Sequence, residues 1–216
     1  MLTSLDVGQV QLGGTKLKGV LVEEGRLVAP TREPTGLVGA VLQGTASDGQ
    51  PVEVALCGAE PDAHDAAMVW YRIEIWNARK ASWENPCAAT SRVPSPRALA
   101  VGGTWDKLGA HHDTEERFTF ACENGAIAKC VDWGYKPWGK KGGHSLADLH
   151  QACTRMARAD YCGNGRSHTR EDKPIDLYDE LGVNLRTRVA TGSWDPKQAS
   201  FEAAWTPEGA SCIART

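Results

Sequence analysis

Residues 68–76 read Met-Val-Trp-Tyr-Arg-Ile-Glu-Ile-Trp, a stretch in which apolar and charged side chains alternate. In an extended chain Tyr71, Ile73 and Ile75 lie on one side, while Arg72 and Glu74 lie on the other. This period of two residues predicts a β-strand with one buried face. Further runs of strand length are separated by turn residues, at 37–45, 51–57, 97–101, 117–122, 126–131, 175–178, 185–190 and 200–205. The sequence therefore predicts a mainly β fold, an antiparallel sandwich or an irregular barrel.

Two turn signals predict hairpins within this set of strands. Asp48-Gly49 and Asn124-Gly125 each stand between two of the runs, and both dipeptides are typical of two-residue β-turns. A tight turn at Asn124-Gly125 would place Cys130 opposite Thr119, on the other face of the ribbon from Cys122. Cys122 and Cys130 would then lie too far apart for a disulfide, so each is expected to bond to a different partner.

One principal α-helix is predicted after residue 145. Ser145 is a good N-cap residue, and Gly163 is expected to end the helix. Apolar side chains recur between them at helical spacing, namely Leu146, Leu149, Cys153, Met156 and Ala157.

The first 36 residues differ in character from the rest of the chain. Apolar residues recur every five positions from Leu2 to Leu27, with glycines between them. This spacing fits either a short pentapeptide β-helix or a Gly-rich β-meander, and residues 31–36 are typical of a linker. The sequence therefore predicts a Gly-rich N-terminal β segment and linker at 1–36, followed by one disulfide-rich β domain at 37–216.

Cysteine usage and charge restrict the compartment and the partners. The chain of 216 residues carries seven cysteines, without a C-x-x-C pair, and a net charge of −3. Scattered cysteines favour disulfides over a metal cluster, so we expect a disulfide-stapled fold with no metal and no cofactor. The charge disfavours a nucleic-acid partner, and no run is long enough for a transmembrane segment. These features favour an extracytoplasmic protein, secreted, periplasmic or lipoprotein, whose export signal is absent from this sequence.

A longer motif is similar to a known family. Residues 152–163 read Ala-Cys-Thr-Arg-Met-Ala-Arg-Ala-Asp-Tyr-Cys-Gly, and they resemble the bacterial ADYC domain, which is named for the tetrapeptide at 159–162. Residues 118–122, 128–138 and 204–212 also resemble that family. The resemblance implies an exported protein, often a lipoprotein, and no assigned activity. Because Cys57 lies outside the matching blocks, we expect it to be the unpaired thiol, with the other six in structural disulfides: Cys87, Cys122, Cys130, Cys153, Cys162 and Cys212.

An aromatic and basic loop is the first candidate site. Trp133, Tyr135, Lys136 and Trp138 lie close together on a Gly- and Pro-containing stretch. Aromatic faces beside cations suit a sugar ring or an anionic polymer. The leading hypothesis is therefore a non-catalytic binding or structural domain whose loop recognises a glycan, a cell-envelope polymer or a protein. The alternative is that Trp133 and Trp138 only cover the edge of a hairpin.

The second hypothesis is a cysteine-dependent hydrolase or transpeptidase acting on peptidoglycan or peptide. Residues 153–160 resemble the end of the L,D-transpeptidase nucleophile motif, although the nearby histidine stands three rather than two positions before the cysteine. A thiolate beside an imidazole is the minimum for such a nucleophile, so the candidate catalytic residues are Cys153, His150, His168, Asp160 and Asp176. The alternatives are a Cys153–Cys162 disulfide, and an Asp160 carboxylate that accepts backbone N–H groups or pairs with Arg155 or Arg158.

Overall fold

A computed structural model of the protein describes residues 2–30, 33–46, 48–170 and 173–214. The chain divides into two compact units, the first containing residues 1–107 and 111–128 and the second containing 108–110 and 129–216. Helix α1 (Ala126–Asp132) spans the boundary between these ranges.

The strands of the first unit are β1 (Leu2–Leu12), β2 (Thr15–Lys16), β3 (Leu21–Glu23), β4 (Arg26–Val28), β5 (Ala40–Ala46), β6 (Pro51–Pro61), β7 (Val69–Asn77), β8 (Ser82–Glu84), β9 (Ala98–Gly102), β10 (Thr104–Trp105), β11 (His111–His112) and β12 (Arg117–Cys122), with a 3₁₀ turn at Pro34–Leu37. The second unit contains β13 (Lys140–Lys141), β14 (His144–Ser145), α2 (Ala147–Ala157), β15 (Ala203–Thr206) and β16 (Gly209–Ile213).

The first unit is a closed antiparallel barrel of six strands. Its order is β12-β9-β7-β6-β5-β1, and the pairing of β1 with β12 closes the ring. Leu5 is opposite Phe118 at this closure. The prediction of a mainly β, disulfide-stapled fold with one principal helix is confirmed. Of the two predicted architectures, the structure has the barrel and not the sandwich.

The barrel interior confirms the alternation that predicted strand β7. Tyr71 and Ile73 are buried, whereas Arg72 between them is exposed. The Tyr71 ring packs against Phe120 on β12 with their centroids 5.6 Å apart. Its hydroxyl accepts a hydrogen bond of 2.8 Å from the backbone N–H of Leu27 on β4, so the short β3–β4 hairpin is fastened to the core.

The N-terminal stretch contributes one strand to the barrel. Strand β1 pairs with both β5 and β12, and Leu17 and Val22 pack against the barrel core. Residues 2–28 form two antiparallel pairs, β1 with β2 and β3 with β4, in place of a pentapeptide β-helix, and the β3–β4 pair is a sheet of its own rather than part of one continuous meander. The boundary expected at residue 36 does not coincide with the division between the two units.

One predicted hairpin forms and the other is replaced by a helix. Strands β5 and β6 pair around Asp48-Gly49, with Thr45 opposite Pro51. The prediction of a strand at 126–131 is wrong, because these residues form α1, and Thr119 pairs with Val101 instead. Ile127, Cys130 and Val131 are buried, and their spacing of three and four residues fits one helix face. Asn124-Gly125 is therefore a strand-to-helix turn.

The second unit has little regular structure outside α2 and the β15–β16 hairpin. Helix α2 begins at Ala147, so Leu146 rather than Ser145 is the N-cap residue, and it ends at Ala157, well before Gly163. The strands predicted at 175–178 and 185–190 do not form, and the run at 200–205 contributes β15 alone.

Each unit contains one disulfide. Cys87 is bonded to Cys122 in the first unit, and Cys130 is bonded to Cys153 in the second. Cys122 and Cys130 thus have different partners, as expected, although the hairpin behind that expectation does not exist.

The three remaining cysteines are free, which changes the set of six that was predicted to be bridged. Cys57 is free, as expected, but Cys162 and Cys212 are also free and exposed, so the prediction that both are bridged is wrong. Cys162 is exposed, and its expected partner Cys153 is bonded to Cys130 instead. The carbonyl of the preceding Tyr161 accepts the backbone N–H of Ala210 at 2.9 Å.

Candidate functional site

The outer face of the barrel carries two exposed tryptophans at one end of strand β7. Trp76 on β7 is opposite Trp83 on β8, and 43% and 38% of their surfaces are exposed. The ring centroids are 5.6 Å apart with an interplanar angle of 61°, an edge-to-face pair. Both indoles therefore present aromatic surface to solvent while supporting each other.

Polar side chains extend this aromatic pair across the neighbouring strands. Val54 of β6 pairs with Ile75 and is fully buried, so Glu53 before it faces outward on the same side of the sheet as Trp76. Glu53 pairs with Gln43 of β5, and its Oε1 accepts a 2.8 Å hydrogen bond from Gln43 Nε2. We name this set of side chains on four adjacent strands the outer row: Gln43, Glu53, Trp76 and Trp83.

The opposite face of the β7–β8 ribbon holds the tryptophans in place. Glu84 on β8 accepts hydrogen bonds from Lys80 Nζ at 2.8 Å and from Asn77 Nδ2 at 2.9 Å. The bonds from Lys80 and Asn77 hold the pKa of Glu84 below its ordinary value. The carboxylate therefore ties the turn at 77–84 to both strands and limits movement of the ribbon.

The free thiol on strand β6, Cys57, is not an activated nucleophile. Cys57 lies at an irregularity in the pairing of β6 with β7. Burial raises the pKa of the Cys57 thiol, and the Glu74 carboxylate beside it raises that pKa further. Because the reactive form is the thiolate, the raised pKa disfavours a role for Cys57 as a nucleophile.

Paired charges occupy the other end of the same outer face. The Arg97 guanidinium donates to Glu123 at 2.7 Å and to Glu60 at 3.3 Å, and it lies 5.3 Å from the ring centroid of Trp70. The indole N–H of Trp70 donates to Asp62 at 2.7 Å. At this end of the barrel the charged groups are paired with each other, and Trp70 is buried. The exposed aromatic surface on this face lies in the outer row.

The structure gives Cys153 a structural role. Its sulfur is bonded to Cys130, so no thiolate exists there and the prediction that Cys153 is a nucleophile is wrong for this structure. The expected Cys153–Cys162 bridge is also absent. His150, on the same helix, is buried with 1% of its surface exposed.

Asp160 has the structural role that was weighed against catalysis. Its carboxylate is fully buried and accepts a hydrogen bond of 2.7 Å from Arg155 Nη1. It also accepts the backbone N–H groups of Asn164 at 3.0 Å and Gly165 at 2.9 Å. Arg155 in turn donates to the carbonyls of Leu108 and Pro207. Asp160 and Arg155 therefore organise the chain that leaves α2.

The other two candidate catalytic residues do not form a pair with each other. Asp176 accepts hydrogen bonds from the Thr187 hydroxyl at 2.6 Å and the Thr187 backbone N–H at 3.0 Å. His168 is exposed, and its backbone N–H donates to the Arg158 carbonyl at 2.9 Å. Among the described residues, no group of three or more His, Cys, Asp or Glu side chains is placed to hold a metal ion.

A comparison with family models agrees with the motif at 152–163. The model of the ADYC domain matches residues 34–216. This chain belongs to the ADYC domain family. No curated protein matches it, and no solved structure does.

The tetrapeptide of the ADYC domain builds a turn between α2 and the β15–β16 hairpin. Ala159 has a φ of 48°, which turns the chain sharply, and Asp160 fixes the residues that follow. Tyr161 stacks on Trp205 of β15 with centroids 5.1 Å apart, and its hydroxyl donates to Glu202 at 2.6 Å. Three of the four residues thus have a structural function, while Cys162 faces solvent.

The aromatic loop of the ADYC domain is largely used for packing. Tyr135 is buried in a cluster with Cys130 and Cys153, and its hydroxyl donates to Asp179 at 3.0 Å. Burial, followed by the Asp179 carboxylate, raises the pKa of Tyr135 well above its ordinary value. The prediction that Tyr135 contacts a ligand is therefore wrong.

The remaining residues of that loop are partly covered. Trp133 packs against the same cluster, and its carbonyl accepts the Asn184 side chain at 2.7 Å. The hairpin whose edge it was expected to cover does not form. Lys136 and Trp138 are half-buried, and a role for them in binding stays a prediction.

Sequence reasoning missed the outer row. One signal was present, since Trp76 falls in phase with Arg72 and Glu74, on the charged side of the alternation. Because side chains alternate between the two faces of a strand, this position predicts that Trp76 is exposed. Its neighbours on β5, β6 and β8 could be found from the strand register alone.

No helix in the described part of the chain has the length and apolarity to cross a membrane.

Proposed function

We propose that this ADYC domain is a non-catalytic glycan-binding domain that works outside the cytosol, either secreted or in a bacterial cell envelope. The observation that carries the proposal is the exposed Trp76–Trp83 pair on the outer face of the barrel. Exposed aromatic side chains that lie next to each other are typical of a surface that binds a ligand or partner. The outer row supplies both a surface on which to stack and groups that form hydrogen bonds.

The chemistry of the outer row suits a neutral sugar chain. Indole faces stack on the apolar C–H faces of pyranose rings, and tryptophan offers a large aromatic face for such contacts. Gln43 and Glu53 add an amide and a carboxylate in the same row, and these groups donate to and accept from hydroxyl groups. A glycan has both apolar faces and hydroxyl edges, and the row places two polar side chains directly beside its two indoles.

The outer row is also prepared for binding before a ligand arrives. Four adjacent strands at about 4.8 Å spacing give a row roughly 14 Å long. Three of the strands, β5, β6 and β7, belong to the closed barrel, and the Glu84 hydrogen bonds brace the turn that leads to β8 and Trp83. A rigid site loses little conformational entropy on binding, which favours an extended oligosaccharide over a ligand that must be enclosed.

Two further observations support the compartment and the absence of catalysis in the proposal. Two disulfides form within one chain, and such bonds persist in oxidising compartments. The best candidate nucleophile, Cys153, is consumed by one of them. Asp160, which would have assisted it, is committed to Arg155 and to backbone N–H groups.

The proposal is tested by titrating the protein with soluble β-1,4-linked hexasaccharides of glucose and of N-acetylglucosamine. Binding is followed by calorimetry and by tryptophan fluorescence. Trp76→Ala and Trp83→Ala should each weaken binding by about tenfold or more, as expected for a central aromatic contact. Glu53→Gln should produce a smaller loss.

Trp138→Ala is the matched control, because it removes a tryptophan from the loop that sequence reasoning favoured. It should leave glycan affinity unchanged. If Trp138→Ala abolishes binding while Trp76→Ala does not, the ligand site is the aromatic loop and the outer row is not the site. If neither sugar series binds, the glycan assignment is wrong.

A further inference from the structure

Two carboxylates lie beside Trp76 on the outer face of the barrel. Val54 pairs with Ile75, so the next step of the same register places Glu53 opposite Trp76. Glu74 lies two residues before Trp76 on β7 and points to the same face of the strand. Cross-strand neighbours have Cβ atoms about 5 Å apart, and residues two apart on a strand are separated by about 7 Å. A ligand that stacks on the Trp76 indole is therefore within reach of both carboxylates.

These two carboxylates are not paired with cations. In the described part of the chain, neither Glu53 nor Glu74 forms a salt bridge. Glu53 accepts its hydrogen bond from the uncharged amide of Gln43, and Glu74 lies beside the Cys57 thiol. The negative charge of both groups is thus open to a ligand.

Cations of the same region do not compensate for this charge. Arg72 donates to Glu60 at 2.8 Å, and Lys80 donates to Glu84 at 2.8 Å. The remaining cation, Arg79, is exposed in the turn between β7 and β8. Residues 40–46, 48–61 and 69–84, which include β5, β6, β7 and β8, carry five carboxylates and three cations. They are Asp48, Glu53, Glu60, Glu74 and Glu84 on one side, and Arg72, Arg79 and Lys80 on the other.

The indole pair favours a ligand of the same charge as the carboxylates do. The π-electrons above an aromatic ring attract a cation, and tryptophan is the residue that attracts it best. Trp76 and Trp83 are both exposed, so part of each ring is open to such a contact. Aromatic faces and unpaired carboxylates therefore favour a positively charged group at the same place.

We propose that the outer row selects, among glycans, chains of amino sugars that carry free, protonated amines. The selection rests on the proposed glycan-binding function and specifies its ligand. Stacking on the indoles and hydrogen bonds to the Gln43 amide are available to any chain of the same shape. A protonated amine adds an ion pair with Glu53 or Glu74 and a cation–π contact with an indole. N-acetylation removes that charge, and a carboxylate in its place would be repelled.

An isolated amine is not a sufficient ligand for this surface. Ion pairs and cation–π contacts each contribute little at exposed positions. A chain of amino sugars adds stacking and repeats its contacts along a row roughly 14 Å long. The charged groups therefore determine which glycan binds, while the aromatic surface supplies most of the affinity.

The test compares β-1,4-linked hexasaccharides of glucosamine and of N-acetylglucosamine, which share linkage and length and differ in charge. Binding is measured by calorimetry at about pH 5.5, where the sugar amines are protonated and the medium is above the ordinary glutamate pKa of about 4.3. The glucosamine chain should bind about fivefold more tightly, the gain expected from one exposed ion pair and one cation–π contact. Added salt should reduce this ratio.

Charge-neutralising variants identify the residues that select the amine. Glu53→Gln and Glu74→Gln should each bring the ratio of the two affinities closer to one, and the double variant should remove the preference. Because glutamine keeps the shape of the side chain, the N-acetylated chain should lose less affinity than the glucosamine chain. Glu23→Gln is the matched control, since it neutralises an exposed carboxylate on β3; it should leave the ratio unchanged.

Different outcomes overturn the selection for amines and the glycan site itself. If both chains bind equally and Trp76→Ala weakens both, the row is a glycan site without charge selection, and the preference for amines is wrong. A preference for glucosamine that survives the double variant would assign it to other charges and would also overturn the proposal. If no hexasaccharide binds, the proposed function is wrong.

Discussion

Arg155 Nη1 lies 2.7 Å from Asp160 Oδ2, and 3% of one side chain and none of the other is exposed. The pair joins the last turn of α2 to the residues that follow it. Because both groups are shielded from water, removal of one would leave the other without its partner.

We expect Asp160→Ala to destabilise the protein by about 3–5 kcal/mol, the range for breaking a buried ion pair by removing one partner. The variant removes the carboxylate that accepts hydrogen bonds from the Arg155 guanidinium and from two backbone N–H groups. Urea denaturation followed by circular dichroism measures the change. Asp148→Ala, an exposed carboxylate on the same helix, should cost roughly 0.5 kcal/mol or less. Equal effects of the two variants would contradict the role given to Asp160.

Thiol counting tests the covalent framework. Denaturation without reductant should expose three reactive thiols, those of Cys57, Cys162 and Cys212, and reduction should raise the number to seven. A count of one would show that Cys162 and Cys212 are bridged, as the sequence suggested. Replacement of Cys130 and Cys153 together by serine should lower stability by about 3 kcal/mol, the usual effect of a bridge that closes a loop of this size.

Gly163 tests the close approach of two backbone segments. It has a φ of 63°, and a Cβ at this position would lie 1.6 Å from the Glu208 carbonyl oxygen. Gly163→Ala should therefore cost about 3 kcal/mol or more, from overpacking added to backbone strain. Gly142 has a similar φ of 57° with nothing within 4 Å of the added carbon, so Gly142→Ala should cost only about 1–2 kcal/mol. Melting temperatures of the two variants separate steric conflict from strain, and similar values would exclude the conflict.

The Arg97–Glu123 pair predicts a dependence of stability on pH. Hydrogen bonds from Arg97 lower the pKa of Glu123 in the folded state. The stabilisation is therefore complete above the unfolded pKa of about 4.3 and is lost as pH falls through the lower folded pKa. Unfolding free energies measured between about pH 6 and about pH 3 should fall less steeply for Glu123→Gln than for the unchanged protein. Glu115→Gln, which removes an exposed carboxylate, should leave the slope as it was; a slope unaffected by Glu123→Gln would rule out this linkage.

Local periodicity explains what the sequence could predict. Tyr71 and Ile73 are buried as their alternation requires, and the helix around Cys153 lies where its apolar stripe recurs. The strand predicted at 126–131 is wrong because Asn124-Gly125 signals a hairpin, whereas the apolar positions that follow it fit a helix equally well. Burial of Ile127 and Cys130 on one side decided the outcome, and that choice depends on tertiary contacts.

The candidate site required information that single residues do not carry. Gln43, Glu53, Trp76 and Trp83 meet only because three strand pairs have a particular register. The loop around Tyr135 looked like a ligand site because its composition is aromatic and basic. Composition does not reveal that the Tyr135 hydroxyl is bonded to Asp179, which is 44 residues away.

The barrel closure has a practical consequence for work on the whole family. The family match starts at residue 34, but β1 at residues 2–12 supplies one wall of the ring. An expression fragment trimmed to that match would expose the hydrogen-bonding edges of β5 and β12 together with the lining of the barrel. Unprotected edges of this kind template intermolecular pairing, so the trimmed fragment should precipitate where the longer one stays in solution.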